Sequence, residues 1–186
     1  RRHRTDPATV GLLPDGAQPP WIGAVGVSYH DAWWSIAGLR DAALALDGTG
    51  QPEVAADARR IADELRSTVD AALAADADRL GTPVPPWGPG RALDGALVAN
   101  LVAVTLGVLA PEDPVAAAVA EAVRTHASAL GLVTREVDGT GLDPRLSLEL
   151  AAVEVALGQP AALDRLARLL ELASPTATWP SVVHPR

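Results

Sequence analysis

Between residues 81 and 90 the chain reads Gly-Thr-Pro-Val-Pro-Pro-Trp-Gly-Pro-Gly, and this run limits the fold more than any other stretch. Proline lacks the N–H that a helix interior or a central strand requires, so four prolines in ten residues admit neither. On both sides of the break, apolar residues recur at helical spacing. Val54, Ala58, Ile61, Leu65, Val69 and Ala72 fall three and four residues apart, with Asp57, Arg60, Asp63, Glu64 and Arg66 between them as a wet face. That pattern predicts an amphipathic helix from Pro52 to about Arg79.

Five more helices follow from the same reasoning. The first runs from near Asp31 to Leu46, with Ser28 or His30 in its first turn. Asp31 sets a negative charge near the positive helix end, and Asp47-Gly48-Thr49-Gly50 stops the helix. A third covers Arg91 to Leu109, with Asp94 stabilising its first turn. Its stripe Leu93, Leu97, Leu101, Val104 and Val108 is widened by Val98, Val102 and Leu106, so it is expected to be buried on several sides. The fourth starts after Pro111, with Pro114 in its first turn, and ends before Gly131. Residues 132–143 read as a loop or short ribbon, with Val133 and Val137 as its candidate strand pair. The fifth helix spans Pro144 to Leu157, and the sixth Ala161 to Ala173.

Helix starts near residues 31, 91 and 143 are each followed by a partner, near 53, 112 and 161. The expected fold is therefore all-α: about three antiparallel helical hairpins over 29–173, after an irregular lead-in (1–28) and before an extended tail (174–186). Short links join the helices of a pair and long ones join the pairs. The long links are expected at one end of the array, where sites tend to be built.

Composition agrees with this picture. About one residue in five is Ala, and Phe, Met and Cys are absent. A core of small aliphatic side chains gains little area per contact and needs many contacts, which suits a multi-helix array. The net charge of -8 repels a phosphate backbone at long range and argues against nucleic acid, although Arg1, Arg2 and Arg4 form a local basic patch. Without Cys there is no disulfide, and the compartment stays open. No apolar run is long enough for a membrane span. The chain starts Arg-Arg-His-Arg and stops abruptly after His-Pro-Arg. We therefore expect either additional chain or self-association to cover apolar surface.

The densest group of chemically useful residues is Tyr29-His30-Asp31-Ala32-Trp33-Trp34. Carboxylates accept hydrogen bonds from sugar hydroxyls, and indole rings pack on the C–H faces of a sugar. Successive helical residues diverge by about 100°, so at most one of Trp33 and Trp34 shares a face with Asp31. The competing reading makes Asp31 a helix cap and both tryptophans fillers in an Ala-rich core. Trp87 and Trp179 lie in Pro-rich linkers, and the tail adds His184 and Arg186 as hydrogen-bond donors.

Asp31, Asp94, Asp138, Asp143 and Glu149 lie near linker ends, but no pattern among them assigns a general acid or base. Catalytic residues therefore stay unassigned, and Glu149 and Glu154 read as solvated helix residues. The histidines at 3, 30, 126 and 184 lack ligand spacing, so no metal is expected. Phosphate-loop, dinucleotide and nucleophile-elbow motifs are absent, so no cofactor is expected.

The segment YHDAWWSIAGLRDAALAL resembles the aromatic-Asp-aromatic helix start of six-hairpin, (α/α)6-toroid glycosidases of the trehalase-like and glucoamylase-like groups. The closing TATWPSVVHPR is similar to a linker in bacterial proteins of that class. The resemblance spans residues 21–186 and implies a saccharide or glycoside site in which Asp31 contacts hydroxyls. Tyr29 and Trp33 or Trp34 would shape it, and the linker residues Trp87, Trp179 and His184 are expected to close over it by their own chemistry. About six helices make half of such a ring, and in that family the paired carboxylates lie in later linkers. The resemblance thus implies binding with little or no turnover. A structural or protein-interaction helical array is the alternative, and a terpene-cyclase-like toroid lacks its Asp-rich metal signature, since Asp76 and Asp78 do not make one.

Overall fold

The computed structural model describes residues 9–17, 19, 23, 25–136 and 139–184. Two short strands, β1 (Gly16–Ala17) and β2 (Val25–Gly26), pair antiparallel in the lead-in. Helix α1 (Tyr29–Gly48) begins at Ser28, whose hydroxyl accepts from the Asp31 N–H at 3.1 Å. The serine is thus the cap, and His30 lies inside the first turn. Pro52 opens α2 (Pro52–Leu80), and Gly81 closes it at φ 68°, a left-handed conformation that glycine adopts without strain.

The α1–α2 seam is built from Ala43, Ala55 and Ala58. Because these small side chains face the neighbouring helix, the buried face of α2 runs through Ala55, Ala58, Ala62, Leu65, Val69 and Asp76. Val54 and Ile61, expected on that face, are exposed.

The third helix forecast over Arg91–Leu109 is instead a 3-10 rod, Gly95–Leu101, that continues as α3 (Val102–Thr105). Asp94 caps it, accepting from the Ala96 N–H at 2.9 Å. Three residues per turn align side chains at i and i+3. Leu97, Asn100 and Ala103 therefore form one line and Val98, Leu101 and Val104 another, and all six are buried. The rod is enclosed on several sides, as its all-round apolar sequence leads one to expect, because α1, α4 and α5 all pack on it.

Asp113 caps α4 (Pro114–His126) through the Val115 N–H. Strands β3 (Ser128–Ala129), β4 (Leu132–Arg135) and β5 (Gly141–Leu142) make a small antiparallel sheet in the order β3-β4-β5. The short ribbon expected here thus forms, with Thr134 opposite Leu142, and Val137 lies outside the described residues. Helices α5 (Pro144–Ala156) and α6 (Ala161–Glu171) complete the fold, and Val183 in the tail bridges back to Leu142.

Among the described residues the fold is mainly α, with six α-helices. Helix α2 packs on α1, α4 on the rod and α6 on α5, while α1, α3 and α5 make a central row. One apolar core joins Trp33, Ile36, Val69, Leu101, Val119 and Leu150.

Candidate functional site

The long connections meet at the end where α1 and α5 begin. The Tyr29 N–H donates to the Trp87 carbonyl at 3.0 Å, which brings the Pro-rich loop to the start of α1. A side chain at Gly88 would collide with the Val27 carbonyl, so glycine is required where the loop crosses the chain. The Asp143 N–H donates to the Val133 carbonyl at 2.8 Å, setting β4 against the start of α5.

Tyr29 and Trp33, expected in a sugar pocket, are fully buried. Their rings stack at 6.3 Å and their polar atoms are engaged inside. The Tyr29 hydroxyl donates to Asp76 at 2.8 Å. Burial, then the hydrogen bond and the charge of Asp76, push its ionisation far above the ordinary tyrosine range, which keeps it a donor. Asp76 also accepts from Arg79 at 2.6 Å and from the Gly90 N–H at 3.0 Å. The Trp33 Nε1–H donates to Asn100 Oδ1 at 3.1 Å, and Asn100 Nδ2 donates to the Pro85 and Pro86 carbonyls at 3.1 and 2.9 Å. These buried groups bolt the proline loop to α1 and α2 and offer no face to a ligand.

Trp87 is also buried, packed beside Ala99 and Ala96, with the Arg91 guanidinium 4.9 Å from its ring centroid. Trp179 is half-buried and donates from Nε1 to the Leu169 carbonyl at 2.7 Å. It adds a second donor to a last-turn carbonyl of α6 that also accepts from the Leu172 N–H at 3.1 Å. His184 is exposed beside the Val183 bridge. Trp179 is thus tied to α6, while His184 follows the strand bridge at the surface and Arg186 lies outside the described residues.

What remains at the surface is a smaller group. Trp34 is 52% exposed. Its Nε1–H donates to His30 Nε2 at 3.2 Å, with the rings edge-on at 6.4 Å. His30 Nδ1 lies 3.6 Å from Asp31 Oδ1. From α5, Arg145 Nη1 lies 3.5 Å from Glu149 Oε2, and the charge of Arg145 reaches His30. Burial lowers the His30 pKa against the pull of Asp31, with Arg145 adding to the lowering. Burial raises the Glu149 pKa, opposed by Arg145 and reinforced by Asp143. An imidazole that stays neutral, in the first turn of α1 beside an open indole face, and a carboxyl that holds its proton longer, in the second turn of α5, therefore share the field of Arg145.

Comparison with family models, with characterised proteins and with solved structures gives no match.

Sequence reasoning missed Arg145 as a member of this group and took Glu149 for a solvated helix residue. Glu149 is mostly buried. Glu154 is fully buried and accepts from Arg165 at 2.8 and 2.9 Å. Two signals were available. Asp76 continues the apolar stripe of α2 at helical spacing from Val69 and Ala72, and Asn100 interrupts the apolar run Leu97–Val104. A polar residue in an apolar stripe implies a buried partner. Among the described residues no three His, Asp or Glu side chains gather as a metal-binding group, and no helix is long and apolar enough to cross a membrane.

Proposed function

We propose that this chain is the saccharide-binding half of a six-hairpin helical ring, with little or no glycosidase turnover by itself. The observation that carries the reading is Trp34: a half-exposed indole fixed by His30 beside the Asp31 carboxylate, where the connections between hairpins meet. Such a face packs on the C–H surface of a sugar, while Asp31, Arg145 and Glu149 offer acceptors and donors to its hydroxyls. The central row of α1, α3 and α5 with outer partners is the arrangement that half of such a ring would have. Tyr29, Trp33 and Trp87 serve beneath the surface as its support. Glycoside cleavage depends on a positioned carboxylate pair in a preorganised site, and no sequence pattern assigns such a pair here.

Calorimetric titration with glucosides, mannosides and short oligosaccharides tests the reading. Weak binding is expected, reduced about tenfold or more by Trp34→Ala and by Asp31→Asn, since each removes a contact of about 1–3 kcal/mol. Absence of binding at high ligand concentration, or equal binding by both variants, removes the saccharide site.

A further inference from the structure

We propose that His30 gates Trp34 by protonation, so that this surface holds its indole in place at neutral pH and releases it, with any bound saccharide, on acidification. The ligand rests on the reading above, whereas the switch rests on donor and acceptor chemistry alone.

An indole nitrogen only donates. Its partner, His30 Nε2 at 3.2 Å, must therefore supply a lone pair. The single proton of the neutral ring then sits on Nδ1, the nitrogen 3.6 Å from Asp31 Oδ1. The Trp34 hydrogen bond selects this tautomer, and the charge of Asp31 favours a proton on that side of the ring. A second proton has only Nε2 to occupy, and there it confronts the Trp34 N–H. Two donors cannot share a hydrogen bond, so protonation of the ring breaks the contact that orients the indole. Trp34 is half exposed and has open solvent to turn into. Among the described residues, the charged groups that act on the ring are Asp31 from α1, which favours the second proton, and Arg145 from α5, which opposes it. Burial sides with Arg145 and keeps the ring neutral down to a pH below that of an ordinary histidine.

The test is a pH titration of the ligand-free protein by nuclear magnetic resonance, from about pH 7.5 to about pH 5, across the range where a histidine titrates. It follows the His30 ring nitrogens and the Trp34 indole N–H, the latter identified by its loss in Trp34→Phe. The indole signal is expected to move to a solvent-exposed position with the same midpoint as His30. His30→Gln should hold it still, because the glutamine carbonyl accepts the same bond and does not titrate. Saccharide affinity of the wild type should fall about tenfold across the range, the equivalent of one lost hydrogen bond, and that of His30→Gln by less than about twofold. An indole signal that ignores the protonation of His30 overturns the switch, whatever the sugar does. A signal that moves as expected with no sugar bound at any pH upholds the switch and removes the saccharide reading. Equal sugar affinity at both ends while the signal moves overturns the gating of the ligand.

Discussion

Burial shifts His30 and Glu149 in opposite directions, so they give the fold opposing pH dependences. The folded His30 ring takes up its proton below the ordinary value of 6.5. Between those two values the unfolded chain holds more protons, so this contribution to stability is present above pH 6.5 and is lost as pH falls through the folded value. Glu149 titrates above its ordinary 4.5. Here the folded state holds more protons, so its contribution is present below pH 4.5 and is lost as pH rises through the folded value. Urea denaturation across about pH 4 to pH 8 separates the two. Glu149→Gln should gain stability relative to the wild type as pH rises, and His30→Gln as pH falls. Parallel curves for wild type and variants contradict the burial of these groups.

Among the elements, α5 and α6 are joined by charge inside the protein. Arg165 reaches Glu154 through two hydrogen bonds and also donates to the Gly131 carbonyl, and Arg124 from α4 approaches the same carboxylate at 3.7 Å. One buried carboxylate thus ties α4, α5, α6 and the turn before β4. Removing one partner leaves the other charged and buried, so Arg165→Ala should cost about 3–5 kcal/mol of stability. The measurement is the denaturation midpoint, with exposed Arg168→Ala as the control that stays near the wild type. The α2 helix shows why this level was only partly legible. Its period was plain in the sequence, but which three-and-four series faced α1 depended on alanines that permit close approach, and Ala55 and Ala62 won over Val54 and Ile61.

For the whole molecule, part of the uncovered apolar surface lies on the last hairpin. The central rod, expected from its all-round apolar sequence to be buried on several sides, is enclosed by α1, α4 and α5. Leu148 and Val155 on α5 and Leu163 and Leu170 on α6 are 43%, 61%, 71% and 67% exposed. Leu163 and Leu170, seven residues apart, lie on one side of their helix. Surface of this kind favours association, and supports a second reading in which the chain is a helical scaffold that pairs with a second copy of itself. Light scattering should then give a mass that rises with concentration, and Leu163→Glu with Leu170→Glu should abolish the rise. A constant monomer mass at the highest soluble concentration contradicts it.

The sequence alone determined the helical class, the helix boundaries set by Pro52, Gly81, Pro114 and Pro144, and the gathering of chemically useful residues at the start of α1. Those features are local: proline and glycine act through their own backbone geometry, and a helical period is visible within a few turns. Tertiary structure alone decided which aromatic rings meet solvent. Tyr29, Trp33 and Trp34 are near neighbours in the chain and equally suited to a sugar, but burial depends on what packs around α1. Asp76 and Asn100 lie 47 and 67 residues from the groups they bind. They draw Tyr29 and Trp33 inward and leave Trp34 outside, because a polar atom is buried only where a distant partner satisfies it.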